Sequence, residues 1–115
     1  MTRVVLSETQ RDEIARGRFV RIGHGFDSLL IGRVGGGWRA YTNVCRHRAL
    51  PLDLGARSPM SDDGRYLLCS QHGALYRLED GKCVIGPCAG ESLATVAVSE
   101  DGEALLVGSI SEQSK

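Results

Sequence analysis

The sequence predicts an all-β domain, and three observations carry that expectation. Apolar stretches are short and are interrupted about every eight to twelve residues by glycine or acidic turn signals. Fifteen glycines, with Asp-Gly pairs beginning at residues 63, 80 and 101, supply reversals. A length of 115 residues allows one domain, 1–115, with a modest core.

In chain order, residues 4–6 form a first strand candidate. Residues 7–14 are polar; Ser7 with Gln10 has the spacing of a helix cap, but the composition reads as a solvated loop. Phe19, Val20 and Ile22 mark a second strand, joined through Gly23-His24-Gly25 to a third at 29–34. Gly35-Gly36-Gly37 turns the chain into a fourth at 38–43. Strands follow at 66–68 and 75–78, and Asp80-Gly81 turns back to 83–85. Residues 93–98 alternate, Asp101-Gly102 turns, and 104–107 closes a set of nine short strands. The polar Asp-Asp-Gly stretch within 58–65 reads as a hairpin tip.

Fourteen basic residues balance fourteen acidic ones and no basic run concentrates charge, which argues against nucleic acid as a partner. The N-terminal apolar stretch ends at Ser7, too short for a signal-peptide core, and no segment has the length of a membrane span. The expected setting is cytoplasmic, without membrane contact, where thiols stay reduced and cysteines serve more often as metal ligands than as disulfides.

Four cysteines and three histidines therefore pose a metal question. Cys45-Arg46-His47 and Cys69-Ser70-Gln71-His72 form a Cys-x-His and a Cys-x-x-His box, separated by the 21 residues of 48–68. Each follows an apolar strand, so two meeting loops would offer two sulfurs and two nitrogens. Zinc accepts that set tetrahedrally, although its structural knuckles usually group cysteines in one and histidines in the other. A binuclear iron–sulfur centre with cysteines on one iron and histidines on the other wants the mixture, because both loops must reach both irons.

The boxes resemble those of the Rieske [2Fe–2S] family, and the resemblance continues around them. Gly73, Leu75-Tyr76, Gly81, Gly86-Pro87, Gly90 and Leu93 are similar to the stretch that follows the second box, and residues 40–44 are similar to the strand leading into the first. It covers about residues 29–98. The resemblance implies the Rieske fold, an antiparallel β-sandwich base with a cluster-binding subdomain inserted at about 44–88. It also implies one [2Fe–2S] cluster per chain, with Cys45 and Cys69 on the buried iron and His47 and His72 on the outer one. Tyr76 matches a tyrosine that donates to a ligand sulfur, and Gly86-Pro87 a loop that shields one side of the cluster.

With two ferric ions, two sulfides, two thiolates and neutral imidazoles the oxidised centre is formally neutral, so it accepts an electron more readily than an all-thiolate one, in the range of roughly −150 to +300 mV. High-potential family members carry a disulfide between the boxes and a serine hydroxyl donor. Here Leu50 and Gln71 replace the cysteines and Ala74 the serine, which points to a low or low-to-intermediate potential. Ala49 stands where glycine is common.

The remaining residues have plainer readings. Cys83 reads as a small core residue and Cys88 as a reduced thiol, His24 as an exposed turn residue, and Trp38 as packing. Arg46 and Arg48 flank His47, either as solvated charges or as a lure for an acidic partner. No nucleophile sits with a base and no glycine fingerprint binds a nucleotide, so the chain reads as an electron carrier and not an enzyme. The resemblance implies partners near His47 and His72: a reductase donor, and an oxygenase or reductase acceptor. The Cys-Arg-His-Arg box also resembles that of ring-hydroxylating oxygenases, whose second, mononuclear-iron domain these 115 residues do not contain. Two alternatives stand beside the ferredoxin reading: the small Rieske subunit of an NADH-dependent nitrite reductase, and a zinc-stabilised interaction module.

Overall fold

A computed structural model describes residues 2–23, 28–44, 52, 59–69, 73–86 and 89–108. The expected reversal at His24 lies outside them. Nine strands and one helix are found among the described residues: β1 (Thr2–Val5), α1 (Glu8–Ala15), β2 (Val20–Ile22), β3 (Leu29–Val34), β4 (Gly37–Thr42), β5 (Tyr66–Leu68), β6 (Leu75–Arg77), β7 (Cys83–Ile85), β8 (Val98–Asp101) and β9 (Ala104–Val107). They form three antiparallel sheets, ordered β1-β9-β8, β2-β3-β4 and β5-β6-β7. The all-β expectation holds. No described helix is long and apolar enough to cross a membrane.

The middle sheet is apolar on both faces. Leu29, Ile31 and Ala40 join Leu6, Ile14, Val96, Leu105 and Val107 in one core, while their neighbours Leu30 and Tyr41 join Leu52, Leu67, Cys69, Ala74, Tyr76 and Leu93 in another. Because side chains alternate along a strand, a sheet between two cores reads as a continuous apolar run, and Leu29-Leu30-Ile31 is such a run. The β3–β4 hairpin turns on Gly35 and Gly36, at φ 59° and 84°, between the paired Val34 and Gly37. Positive φ at both central residues is the turn that matches strand twist.

Three local expectations are corrected. Residues 8–15 are helical and not a loop. Ser7 Oγ accepts from the Gln10 N–H (3.1 Å), Gln10 Oε1 accepts from the Ser7 N–H (2.8 Å), and Ile14 is buried. The cap together with that one apolar anchor outweighs the polar composition. The strand expected at 93–98 starts only at Val98. Before it, the chain follows the edge of β4, with Thr42 N–H to Ala94 O (2.9 Å) and Val96 N–H to Ala40 O (2.8 Å), and then crosses to β9. Asp101 still pairs with Ala104, so the last turn is Gly102-Glu103.

Tyr41 ties the middle sheet to the third. Its ring is stacked on Phe19 with centroids 6.0 Å apart, and its hydroxyl donates to Leu78 O (2.8 Å) in the β6–β7 turn. Arg39 Nε donates to Glu79 O (2.9 Å) in the same turn. Within it, Arg77 pairs with Asp80, whose carboxyl this guanidinium and the Lys82 N–H hold below the usual range.

Burial pushes the Tyr41 phenol up to about 12 from 10. The folded chain therefore keeps a proton that the unfolded chain releases, so the contribution is complete below pH 10 and is lost as pH climbs to about 12. Denaturant titrations across that window should show stability falling by up to about 1.4 kcal/mol per pH unit more in the native protein than in Tyr41→Phe. Equal slopes would contradict this burial. Removing the α1 cap by Ser7→Ala should cost about 1 kcal/mol in the same assay.

Candidate metal centre

The first box leaves the middle sheet just past β4. Asn43 is fully buried and pinned through both main chain and side chain. Its backbone N–H donates to Ser28 O (3.1 Å), its Nδ2 donates to Ser28 Oγ (3.0 Å), and its Oδ1 accepts from the Leu52 N–H (2.8 Å). Only an acceptor can face a backbone N–H, so Leu52 sets the orientation of the amide and leaves Nδ2 for the hydroxyl. These bonds bracket the positions of Cys45 and His47, and the chain is back in the core at Leu52, which is fully buried.

The second box follows β5. Cys69 is fully buried, its N–H donates to Ala74 O (2.9 Å), and its carbonyl accepts from the Gly73 N–H (2.9 Å). These two bonds bracket residues 70–72. Upstream, β5 is supported by the expected hairpin: Met60 pairs with Leu67, and Leu68 N–H donates to Pro59 O (2.7 Å). At its tip the Asp63 carboxylate accepts from Ser61 Oγ (2.6 Å) and the Arg65 N–H (3.0 Å), which lower its pKa.

The chain past β7 closes on the same place. A Cβ on Gly86 would stand 2.8 Å from Ala74 Cα, and Gly86 has φ 113°, so this residue lies against the base of the second box. Tyr76, on β6, is fully buried and pairs with Leu67 and Cys83. Cys83 is buried as expected, and its thiol donates to Ile85 O (3.3 Å).

Of the sequence-predicted residues, the described structure therefore contains Cys69, Gly73, Ala74, Leu75, Tyr76, Gly81, Cys83, Gly86, Gly90, Leu93 and the packing residue Trp38, whose Nε1 donates to Glu100 (2.6 Å). Cys45, His47, His72 and Pro87 lie outside the described residues, as do Arg46, Arg48, Ala49, Leu50, Gln71 and Cys88. Among the described residues no three His, Cys, Asp or Glu side chains form a metal-holding group. Sequence reasoning passed over Asn43 and Ser28, whose pairing spans fifteen positions and leaves no local signal.

Leu52, Cys69, Ala74 and Tyr76 share one buried cluster, so the chain returns from the first box into the core from which the second departs. Two thiolates and two imidazoles contributed by the two boxes would suit a binuclear iron–sulfur centre, which needs ligands from both and shelter from water. A surface cleft of about 410 Å³ lies elsewhere, between Arg16-Gly17-Arg18 and the 60–64 hairpin tip, and none of these residues lines it.

The family model for the Rieske [2Fe–2S] domain matches residues 5–100. Among solved structures, the ferredoxin of carbazole 1,9a-dioxygenase from Nocardioides aromaticivorans IC177 superposes with a TM-score of 0.62 at 20% identity, covering 95% of this chain and 99% of that one. A chain in the complex of reduced oxygenase and oxidized ferredoxin in carbazole 1,9a-dioxygenase matches with a TM-score of 0.60 at 25% identity, over 80% of this chain and 89% of that one. The terminal oxygenase from Nocardioides aromaticivorans IC177 matches with a TM-score of 0.60 at 24% identity, over 81% of this chain and 26% of that one. No curated protein matches the chain significantly.

The contact at Gly86 is open to test. Gly86→Ala should destabilise the domain by about 2 kcal/mol or more, since a methyl must displace Ala74 backbone at a positive φ. Gly64→Ala, at φ 72° with nothing within 4 Å, should cost only the backbone strain, about 1 kcal/mol. Urea titrations showing equal losses would contradict the close approach.

Proposed function

Since the chain belongs to the Rieske [2Fe–2S] domain family, we propose that it is a one-electron carrier of the ferredoxin type, passing electrons from a reductase to an oxygenase or a similar enzyme. The cofactor is a Rieske-type [2Fe–2S] cluster, which when bound takes up and gives back one electron. In this reading Cys45 and Cys69 hold one iron and His47 and His72 the other, and residues 44–88 make up the cluster-binding part of the chain. The observation that carries it is the shared anchoring of the two boxes: Asn43 binds Leu52, Cys69 binds Ala74, and Leu52, Cys69 and Ala74 lie in one buried cluster.

The chain's own residues then have separable tasks. Leu52, Ala74 and Tyr76 keep water from the cysteine side, and Gly86 admits the Gly-Pro loop against the second box. Tyr76 donates to a ligand sulfur, while Ala74, buried and without a hydroxyl, withholds a second donor. His47 and His72 mark where redox partners approach, flanked by Arg46 and Arg48. The carrier works in the cytoplasm, a setting that the Cys83 thiol suits.

Support for the ferredoxin form comes from the 25%-identical chain of an oxygenase–ferredoxin complex. The purified native protein should be brown, contain two irons and two acid-labile sulfides per chain, and take up one electron on titration. A colourless protein holding zinc would sink the reading. Voltammetry should place the potential below about +200 mV, and Tyr76→Phe should lower it further. A higher potential, or one unmoved by Tyr76→Phe, would contradict the assigned donors.

A further inference from the structure

Asn43 supplies no ligand, yet it is among the most tightly held polar residues in the described chain. It is fully buried just past β4, and amides are costly there unless each polar atom is paired. Oδ1 is paired with the Leu52 N–H and Nδ2 with Ser28 Oγ, while the backbone N–H meets Ser28 O. Ser28, also fully buried, immediately precedes β3, so the amide is referenced to the middle sheet.

We propose that Asn43 is a positioning residue for the first ligand box, its amide fixing where the chain returns to the core at Leu52 and hence the span left for Cys45 and His47. The proposal rests on the reading of those two residues as ligands. Only Val44 separates Asn43 from Cys45 along the chain, so a shift at the clamp would pass to the sulfur over a short lever. The bond to Leu52 spans nine positions and closes a loop that would otherwise sample many more conformations. The chemistry asks for an amide. Leucine has neither donor nor acceptor, glutamine carries the acceptor one methylene too far, and aspartate keeps the acceptor for Leu52 only by bringing charge into the core.

The test compares cluster retention in the native protein, Asn43→Ala, Asn43→Asp, Ser28→Ala and Ser7→Ala, as iron released to a chelator over time, with electron paramagnetic resonance of each reduced protein. Asn43→Ala should release iron about tenfold faster, the factor that about 1.4 kcal/mol represents, and should broaden the spectrum. Ser28→Ala should move in the same direction by less, and Asn43→Asp should recover part of the retention. Ser7→Ala, which weakens the α1 cap and touches neither Asn43 nor Ser28 in any hydrogen bond, should keep native release and spectrum. If Asn43→Ala does not fold, Ser28→Ala carries the comparison. Native release and spectra in Asn43→Ala or, in that case, Ser28→Ala would overturn the proposal, as would changes no larger than those of Ser7→Ala. A native protein without iron would overturn the ligand reading along with it, whereas an iron-bearing protein with unaffected variants overturns this proposal alone.

Discussion

Burial of both faces of the middle sheet is the constraint on which the rest of the structure depends. Leu30 and Tyr41 point into one core while Leu29, Ile31 and Ala40 point into the other, and the two sets are interleaved residue by residue. A slip of one residue in either strand would exchange the sets, placing the Tyr41 ring where Ala40 now fits. The register is thereby held, and with it the position of Asn43, which lies one residue past β4 and two before Cys45. The third sheet hangs from the same strands, through Tyr41 to Leu78 and Arg39 to Glu79.

This arrangement matches what an electron carrier requires of its protein. Groups that bind a cofactor function best when held on rigid elements and supported by neighbours locked through packing and hydrogen bonds. Here Asn43, Leu52, Cys69 and Ala74 are buried around the two boxes, the Asn43 amide accepts from the Leu52 N–H, the Cys69 N–H donates to Ala74 O, and Gly86 lies against Ala74. On the proposed reading, the side chains that would shelter the centre, Leu52, Ala74 and Tyr76, are members of the fold's own buried core.

Much of this was legible in the sequence because the signals were local. The continuous apolar run at residues 29–31, the paired glycines at 35–36 and the Cys-x-His and Cys-x-x-His boxes each declare themselves within a few residues. The helix at 8–15 did not, since one buried Ile14 and a reciprocal cap outweigh a polar composition that resembles a loop. The course of 93–98 was also hidden, because an alternating pattern reports that a segment is half buried and not which of two sheets it serves. Asn43 was the least legible of all. Its partners are Ser28 and Leu52, fifteen residues before it and nine after, and no local pattern announces such a clamp.

On the proposed reading, two cysteines and two histidines, one of each from either box, share a single iron–sulfur centre. Nitrogen hyperfine couplings in the pulsed electron paramagnetic resonance spectrum of the reduced native protein test it most directly. Two imidazole nitrogens should couple to the unpaired spin, one lost in His47→Cys and the other in His72→Cys. A reduced signal with no imidazole coupling, or both couplings retained in either variant, would contradict it.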